Sequence, residues 1–207
     1  MAKVNVGIIG CGDVTERKSG PAFNKVGEVC VLTSVMRRNL AKSQDYASRH
    51  GVPHYYDDAM EMITSGHINT VYIATPPSTH LEYARAAIDS GIQYLYIEKP
   101  LGLTSIEARS FLQECISVKG NEVKCVVAHY RRALPMFVRI KELIHGGALG
   151  AVRFVNIRLW KSKMREMSDS SVDWRTDPSV SGGGHFHDLS PHQLVIDSKL
   201  LLLSNLI

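Results

Sequence analysis

Residues 3–15 read KVNVGIIGCGDVT, and the fold turns on how they are read. The first seven form a short run rich in Val and Ile, which predicts a buried strand. Gly10 and Gly12 stop it. Gly-x-Gly at that point supplies a tight turn and bare backbone, which beside a helix N-terminus can receive a pyrophosphate. The third small residue of such a loop belongs at position 15, where the chain has Thr15. Pro21 makes the following helix start late or break.

The same rhythm continues outward. Apolar runs recur at 29–36 (VCVLTSVM), 69–75 (NTVYIAT), 92–98 (IQYLYIE) and 124–130 (KCVVAHY). Between them, residues 39–51, 57–66, 78–91 and 104–120 have helical length and mixed polarity, and each closes on a glycine. Ser78 or Thr79 is placed to cap the third of these helices, and Thr104 the fourth. Strand and helix in alternation predict an α/β fold with a doubly wound parallel sheet.

After about residue 130 the pattern changes. Residues 134–150 read as a helix with a glycine stop, and 151–163 (AVRFVNIRLWKSK) alternate as one long strand. A polar loop, three glycines and a last helix follow. One strand and two helices do not close a core. The expected organisation is therefore a Rossmann domain over 1–130 and an incomplete C-terminal α+β domain over 131–207.

Composition narrows the function. The 207 residues carry a net charge of +4, which suits an anionic small ligand and is too weak and scattered for nucleic acid. No apolar run is long enough to cross a bilayer, and the N-terminus lacks the features of a signal peptide. Cys11, Cys30, Cys115 and Cys125 form no CxxC pair and are expected as reduced thiols in a cytoplasmic protein. His54, His67 and His145 are expected on the surface without partners, and Trp160 in a core.

The end of the second strand bears on the cofactor. An NAD site wants an acid there for the ribose hydroxyls. The sequence offers Arg37 and Arg38, whose guanidinium forks suit a 2′-phosphate. NADP is expected ahead of NAD. Two solvated arginines at a helix entrance are the plainer alternative.

These motifs together resemble the glucose–fructose oxidoreductase / inositol dehydrogenase / MocA family over almost the whole chain. GIIGCG at 7–12 is similar to its dinucleotide loop, ATPPSTH at 74–80 to its loop after the fourth strand, and IEKP at 97–100 to its EKP signature. Residues 174–197 (WRTDPSVSGGGHFHDLSPHQLVID) resemble its Trp-Arg, triple-glycine and Asp-x-x-x-His block. The resemblance implies reversible hydride transfer between NAD(P) and a hydroxyl carbon of a sugar, polyol or diol. It implies Lys99 and His192 as the catalytic pair, with Asp188 assisting. It implies cofactor contacts from Gly10, Gly12, Asp13, Val14, Thr75, Pro76, His80, Glu98 and Arg175, and places Tyr130, Arg131 and Arg132 near the domain seam. Ser190 and Pro191 depart from the glycine that the family commonly has two residues after the aspartate. Family members also supply several more strands after the histidine helix, where this chain has SKLLLLSNLI at 198–207. With that sheet a homo-oligomer is expected.

The chemistry fits the residue types. Asp188 and His192 stand at i and i+4, on one helix face. An alcohol that gives up hydride must also lose a proton, which a histidine can take near neutral pH. An ammonium such as that of Lys99 stabilises a developing alkoxide by about 4 kcal/mol at ~4 Å in an effective dielectric near ~20. A carboxylate can orient the histidine ring. Two alternatives stand beside this. His185, Asp188 and His192 share a face and are types that hold Fe or Zn, although no metal is expected. The chain could also be a truncated, inactive nucleotide-binding or regulatory protein.

Overall fold

The computed structural model describes residues 3–117, 123–158, 160 and 174–201. The chain divides into two compact units, Met1–Ala128 and His129–Ile207. The first is built on six strands: β1 (Val4–Ile9), β2 (Cys30–Met36), β3 (His54–Tyr56), β4 (Thr70–Ile73), β5 (Tyr94–Ile97) and β6 (Lys124–Val127). They form one sheet in the order β3-β2-β1-β4-β5-β6. Every pairing is parallel. The expected doubly wound Rossmann sheet is therefore present. Its sixth member, β3, lies at the edge and is too short to carry a readable alternation.

Among the described residues this unit carries the α-helices α1 (Gly20–Lys25), α2 (Leu40–His50), α3 (Ala59–Thr64), α4 (His80–Asp89) and α5 (Ser105–Ser117). A buried parallel sheet needs cover on both faces. Alternation along the strands provides two cores. Val6 and Ile8 of β1 join Leu32, Val35, Tyr46, Ala47 and Tyr72 in one. Ile9, Val71, Ile73, Ile97, Met62, Ala84 and Phe111 lie in the other. Each fully buried large side chain stabilises the fold by about 1.5–3 kcal/mol.

Local signals set the helix ends. Asn39 Oδ1 accepts from Lys42 N–H at 3.0 Å and starts α2. Thr104 caps α5 as expected, its Oγ1 accepting from Glu107 N–H at 3.2 Å. Glu107 Oε2 in turn accepts from Leu103 N–H and Thr104 N–H, a reciprocal capping box. Thr79 does not cap α4; its hydroxyl turns back to Thr75 Oγ1 at 2.8 Å and Pro76 O at 3.0 Å. The expected helix stop at Gly120 lies outside the described residues.

The second unit contains α6 (Pro135–His145), a four-residue turn α7 (Pro178–Ser181) and α8 (Gly184–Leu201). The strand expected over 151–163 is not formed at 152–158 or at 160, and 159 and 161–163 lie outside the described residues. A strand is held by inter-strand hydrogen bonds, and among the described residues this unit offers no other strand to supply them. Trp160 is accordingly 86 % exposed rather than in a core. Residues 202–207 of the tail also lie outside the described residues. Among the described residues no helix is long and apolar enough to cross a membrane.

Candidate functional site

Parallel pairing brings the carboxyl ends of all six strands to one edge of the sheet. The strand order reverses between β1 and β4, and an open α/β sheet receives ligands outside that crevice. The loops leaving β1, β2, β4 and β5 carry Gly10–Gly12, Arg37–Arg38, Thr75–Pro76 and Glu98–Lys99. Main-chain bonds extend the ladder into them. Gly10 N–H donates to Met36 O at 3.0 Å, Ala74 N–H to Ile9 O at 2.8 Å and Glu98 N–H to Ile73 O at 2.9 Å.

Gly10 adopts φ +95°, and a Cβ there would stand 2.8 Å from Thr75 Cγ2 and 3.0 Å from the Ala74 carbonyl carbon. Glycine is thus required where the first loop touches the second. Gly12 differs: it is exposed, and a Cβ on it would meet nothing within 4 Å. Its bare backbone leaves a surface that a diphosphate can approach, so these residues fit a dinucleotide. Asp13 is exposed and pairs with Arg17 at 3.3 Å; Val14 is half-buried.

Thr15, out of place in the sequence motif, has a definite job. It is fully buried, and its Oγ1 donates to Gly12 O at 2.9 Å. Its carbonyl accepts the Gly20 N–H across a wide, five-residue turn over Thr15–Ser19. The same carbonyl accepts the Tyr46 hydroxyl at 2.9 Å. Cys11, in the middle of the loop, is a buried free thiol pushed up to about 12 by desolvation. It is a packing residue and not a nucleophile. All four cysteines are free, as expected.

Arg37 is half-buried at the end of β2, its N–H donating to Tyr56 O at 3.1 Å, and Arg38 is exposed. Beyond β5, the N–H of Lys99 faces Glu98 Oε2 at 3.3 Å. The peptide bond from Lys99 to Pro100 is cis. Glu98 Oε1 accepts the Tyr72 hydroxyl at 2.7 Å.

His80 is fully buried. Its Nε2 lies 2.8 Å from Thr75 O and its Nδ1 2.8 Å from Pro100 O. It therefore clasps the loop after β4 to the loop after β5. Burial pushes its pKa down, against the opposing pull of the Thr75, Pro100 and Leu101 carbonyls. A neutral ring carries one N–H and donates to one of the two carbonyls; a protonated ring donates to both.

His54 and His67, expected to be partnerless, stack on each other with centroids 3.7 Å apart. The Tyr56 hydroxyl lies 2.9 Å from His67 Nδ1. His54 opens the edge strand β3, and His67 lies in the segment that leads into β4. His145 is exposed, as expected.

In the second unit the glycine block is explained by its backbone. Gly182 and Gly184 have φ +86° and +68°, and a Cβ on Gly183 would stand 2.8 Å from His187 Nδ1. Ser181 Oγ accepts from Gly184 N–H at 3.0 Å at the start of α8. On α8, Asp188 pairs with Arg175, Oδ2 to Nε, at 3.5 Å. Arg175 also lies over the Trp174 ring, 4.5 Å from its centroid. The Tyr130 ring meets the His192 ring edge-on, with centroids 5.5 Å apart. The structure thus joins Arg175 to Asp188 and Tyr130 to His192 within this unit. His185 is exposed, and among the described residues no three His, Cys, Asp or Glu side chains converge as a metal site would require.

Tyr72, Ser19 and Tyr46 were missed by sequence reasoning. Tyr72 reads as one more apolar strand residue, and nothing in a period of two announces its hydroxyl partners.

Comparison with known proteins follows the same division. A family model described as an oxidoreductase family with an NAD-binding Rossmann fold matches residues 4–129. A GFO/IDH/MocA C-terminal domain model matches residues 137–201. Oxidoreductase P35 of Formosa agariphila is 46 % identical over 93 % of this chain and 59 % of its own length. Levoglucosan dehydrogenase of Pseudarthrobacter phenanthrenivorans is 29 % identical over 98 % of this chain and 52 % of its own. A crystal structure of an oxidoreductase from Thermotoga maritima has a TM-score of 0.82 at 23 % identity, covering 97 % of this chain and 60 % of that one. A levoglucosan dehydrogenase in complex with NADH and levoglucosan gives 0.79 at 25 % identity, covering 96 % and 54 %. The chain therefore spans between half and three-fifths of the length of these relatives.

Proposed function

The chain belongs to the GFO/IDH/MocA family of NAD-binding oxidoreductases, and from that premise we propose that it carries the cofactor-binding and acid–base residues of an NAD(P)-dependent dehydrogenase or reductase acting on a sugar, polyol or diol. The observation that carries the reading is the Gly10–Gly12 loop at the β1–β4 crevice, with Lys99 at the end of the neighbouring β5. When bound, a nicotinamide cofactor supplies the hydride acceptor or donor.

The chain's own residues supply the rest. The backbone of Gly12 receives the diphosphate, with Asp13 and Val14 opening the helix behind it. Arg37 and Arg38 take a 2′-phosphate, which makes NADP(H) the preferred form. Thr75, Pro76 and Glu98 line the approach to the nicotinamide ribose, and His80 acts on that wall through the loops it clasps. His192 takes the proton from the substrate hydroxyl, and Lys99 stabilises the alkoxide that forms. Asp188, paired with Arg175 at 3.5 Å, stands one helical turn before His192 and orients it. Arg175, which pairs with Asp188, is also assigned to the cofactor phosphates. Levoglucosan, a sugar derivative, is the named ligand of one relative's structure and supports the substrate class.

The test is a steady-state screen of the protein over polyols and aldoses with both cofactors, followed by His192→Asn and Lys99→Met. Each substitution is expected to cut turnover by ~10²–10⁴ while cofactor binding persists. Wild-type turnover in His192→Asn would overturn the acid–base assignment.

A further inference from the structure

We infer that Tyr72 is a positioning residue that locks the turn after the phosphate loop to the segment carrying Lys99. Tyr72 sits in β4 with no exposed surface. Its ring packs against Tyr96, with centroids 4.9 Å apart, and against Phe23 at 5.9 Å. The hydroxyl is the only polar part of the side chain, and it is buried where two loops meet.

Donor and acceptor roles follow from valence. The phenol has one hydrogen and an ionised carboxylate has none. Tyr72 therefore donates to Glu98 Oε1 at 2.7 Å. Ser19 Oγ lies 2.9 Å from the same hydroxyl. Ser19 Oγ also donates to Val14 O at 3.4 Å, so the Tyr72 hydroxyl bridges Glu98 and Ser19. Burial, and after it the charge of Glu98, push the Tyr72 pKa up.

Each end of this chain of contacts reaches a functional loop. Ser19 closes the wide turn over Thr15–Ser19 that follows Gly10–Gly12. Glu98 precedes Lys99, and its second oxygen faces the Lys99 N–H at 3.3 Å. A charge-assisted bond to a buried phenol removes the rotational freedom of the carboxylate. Tyr72 thereby fixes the main chain at Lys99 and ties it to the loop that would hold the diphosphate. The kinetic consequence rests on the proposed role of Lys99; the mechanical one does not.

The experiment is Tyr72→Phe, which keeps the ring and its packing and removes only the hydroxyl. Hydrogen exchange of the cofactor-free chain, read by mass spectrometry, is expected to quicken about tenfold in peptides covering 98–103 and 15–20 and to stay unchanged in α2 and α3. Unchanged exchange at 98–103 overturns the inference, as does equal quickening everywhere. In the protein that turns over, kcat is expected to fall about tenfold with the cofactor KM little altered. In a Glu98→Ala background, Tyr72→Phe is expected to add nothing further, and a full additional loss there overturns the inference. Absence of turnover in the wild type counts against the proposed function, and the exchange arm then decides Tyr72 alone.

Discussion

His80 Nδ1 lies 2.8 Å from the carbonyl oxygen of Pro100, across 20 residues of sequence, while Nε2 meets Thr75 O at the same distance. One side chain thus spans two loops that leave adjacent strands. It has no exposed surface. Its contribution to the site is mechanical.

His80→Ala should therefore destabilise the chain by about 2–4 kcal/mol. It opens a cavity and leaves a buried carbonyl without a donor. His80→Gln, which keeps a donor on a flexible stem, should lose less. Urea denaturation of the three proteins makes the comparison. Equal midpoints for His80→Ala and wild type would remove the clasp from the account.

The turn after the phosphate loop is also braced from outside. Glu16 accepts from Arg49 and lies 3.0 Å from His50 Nε2, both on α2. The Arg49 guanidinium is the main cause that holds the Glu16 carboxyl down at about 2, against 4.5 ordinarily. A carboxyl lowered in the folded state contributes stability above its unfolded pKa and loses it as pH falls towards the folded one. The contribution is therefore complete above about pH 4.5 and gone near pH 2. The pair is partly exposed and screened by solvent, so its contribution is small. Glu16→Gln should be less stable than wild type at pH 6, with the gap closing as pH falls through this window. A gap that widens on acidification would reverse the sign.

The proposed preference for NADP(H) rests on Arg37 and Arg38 at the end of β2. Replacing Arg37 and Arg38 together by Ala should weaken NADPH binding by at least about tenfold, the loss of one charge-assisted contact or more. NADH binding should hardly change. Calorimetric titration with both cofactors settles the matter, and an equal loss for the two would end the 2′-phosphate assignment.

How much of this was legible differs by element. The Rossmann sheet was, because buried parallel strands are short apolar runs between glycines and prolines, and that pattern is local. Thr104 was legible as a cap for the same reason. β3 was not, since three residues at a sheet edge are held by their neighbour β2 and not by their own periodicity. The described part of the expected strand, 152–158, failed in the opposite sense. Its alternation is real, but alternation states only which faces a strand would have, and pairing depends on what lies beside it. In the site, the glycine and lysine loops could be found from motifs. The Ser19–Tyr72–Glu98 contacts could not, because they join residues 53 and 26 positions apart through a side chain that looks apolar in context.

Two glycines in the same loop and helix separate binding from folding. A Cβ on Gly12 would meet nothing within 4 Å, so Gly12→Ala costs the fold little. It does cover the backbone that a diphosphate must approach closely. A Cβ on Gly20 would stand 2.2 Å from Tyr46 Oη and 2.3 Å from Thr15 O. Neither neighbour can yield, since the Tyr46 hydroxyl is itself bonded to that carbonyl and the ring is buried. Gly20→Ala should thus destabilise by about 1–3 kcal/mol through overpacking. Gly12→Ala should leave the denaturation midpoint near wild type and weaken NADPH binding about tenfold or more. Gly20→Ala should lower the midpoint and, at temperatures where it remains folded, bind with an affinity closer to wild type. Denaturation and cofactor titration on both variants read the two effects separately. If Gly12→Ala binds as tightly as wild type, the diphosphate does not lie on that backbone.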